Sequence, residues 1–216
     1  WSYEISYYQY LYPYNNYQIL LDNFKYFKEF GGYYIYPEGT WENRNNPGFA
    51  KLRDYINSKG MFDVNSDYNL LVDKFFKYYF REAAPIMRAY FDEVQINLSN
   101  NEKTTGGGVH SYALSLNSVW PEGMITHWNS SFKKAEEAIE KYAKTDEELY
   151  EALKKHILIE SLFPRFVLCT TYAKSYSVEQ RKEMRKAFIE DFEKLGNTTH
   201  QEHYTIADVT STWDLT

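Results

Sequence analysis

The sequence of 216 residues predicts a mainly α protein, an antiparallel helical bundle preceded by a short β–α–β unit. Three observations carry that expectation. From Pro47 onward, apolar residues recur at three- and four-residue spacing, the period of a helix face packed on a core. Before Pro47, two aromatic-rich runs flank a single helical stretch that Gly31-Gly32 ends. A composition of 44% hydrophobic and 25% charged residues describes a globular chain long enough to bury a core, in one domain or two unequal parts.

Trp1 to Tyr8 favours a strand, Asn15 or Asn16 is placed to cap a helix through about Phe30, and Tyr33 to Tyr36 reads as a second short strand. Such a unit is a parallel crossover, and its sheet faces and edges need neighbours. Helices are then expected at about 48–59, 67–80, 83–98, 127–144, 146–174 with a break near Pro164, and 178–195. Asp67 caps a stripe of Leu71, Phe75, Tyr78 and Tyr79, and Pro85 sits in a first turn, where its missing N–H is not needed. Phe132, Ala135, Ile139 and Tyr142 share one face, as do Leu149, Leu153, His156 and Ile157, which implies antiparallel packing. Residues 99–126 hold Gly106-Gly107-Gly108 and Trp120-Pro121-Glu122-Gly123 with little periodicity, and read as a long loop. The polar tail after Gly196 reads as extended.

Composition narrows the function. A net charge of −6 disfavours nucleic-acid binding, which rests on a basic face neutralising phosphates. No run approaches the roughly 20 apolar residues of a membrane helix. The single cysteine, Cys169, lies in the apolar run Phe166-Val167-Leu168, as a buried small hydrophobe would, and forbids an internal disulfide. His110, His127, His156, His200 and His203 show no metal-ligand spacing, and no Gly-x-Gly-x-x-Gly follows a strand, so neither a metal nor a cofactor is expected. Asn97, Asn129 and Asn197 begin tripeptides of the glycosylation pattern, which arise often by chance. The chain begins at Trp1 with no leader, and is expected to be cut from something longer.

The phrase Tyr78-Tyr79-Phe80-Arg81-Glu82-Ala83-Ala84-Pro85 resembles a bacterial family catalogued as domain of unknown function 4838. Trp1-Ser2-Tyr3, Pro13-Tyr14-Asn15-Asn16, Asn23-Phe24-Lys25-Tyr26-Phe27 and Glu38-Gly39 fall in that family's order. The resemblance implies a glycoside-hydrolase-like protein with an eight-stranded barrel followed by helices, placed outside the cell or on its surface. Residues 1–46 would then be the last β/α units of a TIM-like barrel, and 47–216 a helical domain with the long loop at 99–126. The remaining strands of the parent chain, and a carbohydrate, are the implied partners.

Glycoside hydrolysis needs two carboxyl groups facing one bond, and barrels present them at the C-terminal ends of strands. Glu38, just past the second strand in Tyr36-Pro37-Glu38-Gly39, matches a similar position in the family; Glu4 is the weaker catalytic candidate. Trp1, Tyr3, Tyr36 and Trp41 surround the same strand ends, and Trp120 and His110 are placed to reach over them, rings that suit the C–H faces of a pyranose. The expected function is the C-terminal part of a carbohydrate-active protein, its helices buttressing the barrel and its sugar cleft. The chain alone is expected to be inactive, since the other carboxyl group would come from the missing strands. The alternative is a non-catalytic carbohydrate-binding or interaction module.

Overall fold

The computed structural model describes residues 2–40, 43–105 and 112–213. Helices dominate it. Strand β1 (Ser2–Tyr3) is followed by a short 3-10 turn at Tyr17–Ile19, helix α1 (Leu20–Glu29) and strand β2 (Pro37–Glu38). Then come α2 (Ala50–Phe62), α3 (Tyr68–Tyr79), α4 (Ala84–Asn100), the single-turn α5 (Glu102–Thr105), α6 (Glu122–Ile139), α7 (Glu147–Thr170) and α8 (Val178–Lys194). The hairpin β3 (Thr199–Gln201) and β4 (Tyr204–Thr205) leads into α9 (Ile206–Thr210).

β1 and β2 pair in parallel, Ser2 opposite Pro37 and Tyr3 opposite Glu38, with α1 as the crossover. The strands are far shorter than the expected 1–8 and 33–36. Tyr33 and Tyr34 project into solvent with no neighbour to pack on, so pairing begins only at the end of that run. The Ser2 N–H to Tyr36 carbonyl bond (2.9 Å) and the Glu4 N–H to Glu38 carbonyl bond (3.3 Å) flank those pairs.

The helical expectations hold more closely, because the long helices have a stripe to bury and several of them a capping residue at the start. The Asp67 and Asp146 carboxylates accept from the Leu70 and Leu149 N–H groups (2.8 and 3.0 Å), capping α3 and α7. Ser177 and Gln180 form a capping box on α8. α7 is the central rod, packed on α6 and α8, and its middle and C-terminal turns are buried almost all round. Pro164 stands inside it and deprives the Glu160 carbonyl of its helical donor, yet the helix runs through.

Two expectations are revised. Much of 99–126 is ordered: α4 runs on to Asn100, α5 follows, and α6 starts at Glu122, five residues ahead of its expected start at 127, with Pro121 as N-cap and acidic Glu122 in the first turn. The tail also folds back: Thr205 and Asp208 box the start of α9, and the Trp213 ring lies 6.0 Å from that of Phe188 under Arg185.

The two parts share one core. Tyr12, Tyr17, Leu20, Leu21 and Phe24 belong to the same apolar cluster as Leu52, Phe76, Phe91, Phe163 and Phe188. Phe49 is its hub, with ring centroids 4.9 to 6.5 Å from those of Phe76, Phe80, Tyr90 and Phe91. By contrast Tyr26, Phe30, Tyr33, Tyr34, Met61 and Phe62 stand exposed where α1 and α2 end, at the N-terminal side of the strand pair. Cys169 is buried in α7, and burial pushes its thiol up to about 11. No described helix is long and apolar enough to cross a membrane.

Candidate functional site

Both candidate carboxyl groups lie at the C-terminal end of the strand pair, but on opposite faces. Side chains alternate along a strand, and the register sets Tyr3 beside Glu38 on one face and Glu4 beside Gly39 on the other. The surroundings agree: Glu38 and Tyr3 act on the Tyr7 hydroxyl electrostatically, whereas Glu4, Pro37 and Gly39 border a polar cleft against α2. Tyr3 (55% exposed) and Tyr36 (46%) flank Glu38 on the open face. Trp1, Trp41 and His110 lie outside the described residues. Among the described residues, no atom would come within 4 Å of a Cβ placed at Gly39, so their packing does not demand a glycine there.

Glu4 is only 3% exposed. Its carboxyl accepts from Ser2 Oγ (3.2 Å) and from Asn57 Nδ2, and its carbonyl accepts from Asn16 Nδ2 (3.1 Å). Burial outweighs those donors and the nearby Arg53 charge, and holds the carboxyl above the ordinary glutamate range. A raised carboxyl suits a general acid, but this one is tied into a network rather than presented to a substrate. Arg53 donates through Nε to Asn16 Oδ1 and through Nη2 to the Tyr14 carbonyl (both 3.1 Å), and lies 4.9 Å over the Tyr17 ring. The cleft holds about 190 Å³ between the strand ends, the 43–46 loop and α2. Asn46 Nδ2 and Asn57 Oδ1, both on residues that border it, are buried without a hydrogen-bond partner among the described residues.

The loop at 43–46 is held by asparagines. Asn43 Oδ1 accepts from the Thr198 and Thr199 N–H groups (2.8 and 3.0 Å), while its Nδ2 donates to Asn46 Oδ1 (2.8 Å). The Asn197 side chain holds the Asn45 backbone, its Oδ1 accepting from the Asn45 N–H (3.1 Å) and its Nδ2 donating to the Asn45 carbonyl (2.8 Å). Asn197 is therefore a buried clamp and not an exposed acceptor of the glycosylation pattern. Asn97 is buried too, donating to the Val119 carbonyl (2.8 Å), and Asn129 is half-buried against Ile125 in α6.

Beneath this loop Gly48 and Phe49 both adopt left-handed backbone, φ 70° and 53°, turning successive N–H groups toward Glu160 of α7. Glu160 Oε2 accepts from the Phe49 N–H at 2.9 Å. Full burial raises the Glu160 carboxyl to about 8 despite the Phe49 and Gly48 donors and Arg53. The left-handed φ costs Phe49 on the order of 1 kcal/mol or more, offset by its ring in the core. A Cβ at Gly48 would meet Pro13 Cα at 2.8 Å.

Trp120 does not reach the strand ends. It is 1% exposed, its Nε1 donates to the Leu114 carbonyl (2.6 Å), and its ring packs on Phe163 (4.7 Å) and Trp128 (6.1 Å). Arg53, Asn57, Asn46 and Glu160 escaped the sequence reading. A signal existed for Glu160, a lone acid in the apolar run Ile157 to Phe163, and for Arg53 and Asn57, one helical turn apart among Leu52, Ile56 and Gly60.

Fold and site define a mainly helical protein that carries a parallel strand pair on its flank, with one polar face buried against helices and one aromatic face open. Residues 1–92 match the model of the family described as Domain of unknown function (DUF4838). Searches of the curated proteins and of the solved structures found no match.

Proposed function

We propose that the chain is part of a carbohydrate-active, glycoside-hydrolase-like protein, in which the open face of the strand pair contributes Glu38, Tyr3 and Tyr36 to a sugar site. The observation that carries the reading is the register: it puts one carboxylate and two exposed tyrosine rings together at the C-terminal strand end, where barrel enzymes act. Ring faces suit pyranose C–H surfaces, and a carboxylate suits the general-acid or nucleophile position. Glu4, on the other face, holds β1 to α2. One carboxylate cannot perform both roles, so the second comes from further β/α units of the parent protein. The parallel pair, bare on its open face, and the exposed aromatic residues around Phe30 and Phe62 favour such units. In this reading the two strands are a remnant of a TIM-like barrel, and the helices form an antiparallel bundle behind it.

The test is a fluorescence binding screen against plant, mucin and microbial glycans, repeated with Glu38→Gln and Glu4→Gln. A saturable signal weakened at least tenfold by Glu38→Gln and little by Glu4→Gln is expected. Binding that ignores Glu38, Tyr3 and Tyr36 overturns the assignment.

A further inference from the structure

We propose that Glu160 is a positioning residue, a cap supplied from α7 to the N-terminus of α2, which through α2 fixes where the strand pair and its open face stand. The inference rests on the reading of that face as the functional one. Phe49 is the residue that precedes α2, and its own side chain points into the core and caps nothing. The first N–H groups of a helix need acceptors, and here the acceptor comes from a helix 111 residues further along the chain. The carboxyl also meets the positive end of the α2 dipole.

The effect runs outward from there. Arg53 donates its N–H to the Phe49 carbonyl, so it sits in the turn that Glu160 secures. From that turn Arg53 holds Asn16, Asn16 holds the Glu4 carbonyl, and one turn later Asn57 holds the Glu4 carboxyl. Glu4 is the residue next to Tyr3, and its N–H bonds the Glu38 carbonyl. A displacement of the α2 start is thus passed to the strand ends by four consecutive polar contacts, with no flexible segment between them.

The groups that face Glu160 are Arg53 from α2, Tyr17 from the turn before α1, Tyr79 from α3 and Tyr90 from α4. The Tyr90 hydroxyl has no hydrogen-bond partner. Arg53 favours ionisation and burial opposes it, so the carboxyl changes charge near neutral pH, where an ionised acceptor binds the Gly48 and Phe49 N–H groups more strongly.

The experiment is a ¹H–¹⁵N NMR titration of the full chain from pH 6 to 9.5, with no glycan present. The Gly48 and Phe49 amide signals are expected to move together with a midpoint near 8, and the Tyr3 and Gly39 amides to follow with the same midpoint. In Glu160→Gln, which keeps the shape and one acceptor oxygen, all four are expected to lose that titration. A silent Phe49 amide overturns the cap; a titrating Phe49 with silent Tyr3 and Gly39 overturns the positioning role. If Glu160→Gln does not fold, the titration of the unmodified chain decides alone. Since no sugar enters the measurement, failure of the carbohydrate reading leaves its outcome intact.

Discussion

Burial ties the protonation of Glu160 to the stability of the fold. Its folded value, about 8, lies above the ordinary 4.5, so the folded chain binds that proton more tightly than the unfolded one. The associated stability is fully present below about pH 4.5 and is lost as pH rises to about 8. The displacement corresponds to ~5 kcal/mol at most. Denaturant unfolding at pH 5, 7 and 9 is expected to give falling midpoints, flattened in Glu160→Gln; a pH-independent midpoint in the unmodified chain would contradict the burial argument. Glu4 follows the same logic on the strand side. Asn57 is the donor that most lowers it, so Asn57→Ala is expected to raise the Glu4 carboxyl further, measurable by carbon-detected NMR of the side chain.

Elements differ in what fixes them. α3, α7 and α8 begin at caps written in the sequence, and the stripes of α3 and α7 pack largely as expected, save that Tyr78 stands exposed while Val72 and Phe76 are buried with Leu71 and Phe75; Asp146→Ala is predicted to lower stability by about 1 kcal/mol through loss of the α7 cap. The start of α2 has no such local cap. It depends on a left-handed Gly48-Phe49 pair, on Pro13 lying against Gly48, and on a carboxyl from α7, none of which sequence spacing reveals. Gly48→Ala is therefore expected to cost about 2 kcal/mol or more, both from its φ of 70° and from the contact with Pro13, as read by thermal unfolding. The strands were legible as a β–α–β unit but not in length, because their extent depends on partners rather than on propensity. The same holds for the site. Glu38, Tyr3 and Tyr36 were legible as neighbours of strand ends, but which face each occupies was fixed only by the register. Trp120 read as a loop residue because nothing in its spacing showed that the loop closes over Phe163.

At the scale of the whole molecule, the boundary at residue 46 crosses a shared core. A chain lacking 1–46 would leave Leu52, Phe76 and Phe91 without Tyr17, Leu20 and Phe24, so it is expected to lose cooperative unfolding rather than persist as a separate helical domain. The outer surface is the opposite case. Phe30, Tyr33, Tyr34 and Phe62 touch so little that replacing each with serine should change stability by no more than about 0.5 kcal/mol, while lowering retention on a hydrophobic column and dye binding.

The position of Pro37 gives the strand pair a direction of growth. The carbonyls of Tyr36 and Glu38 are spent on β1, so the backbone groups of residue 37 face away, and proline offers there an acceptor but no donor. On the other side, Tyr3 turns both an N–H and a carbonyl outward. A third parallel strand therefore gains a full ladder beside β1 and only half of one beside β2.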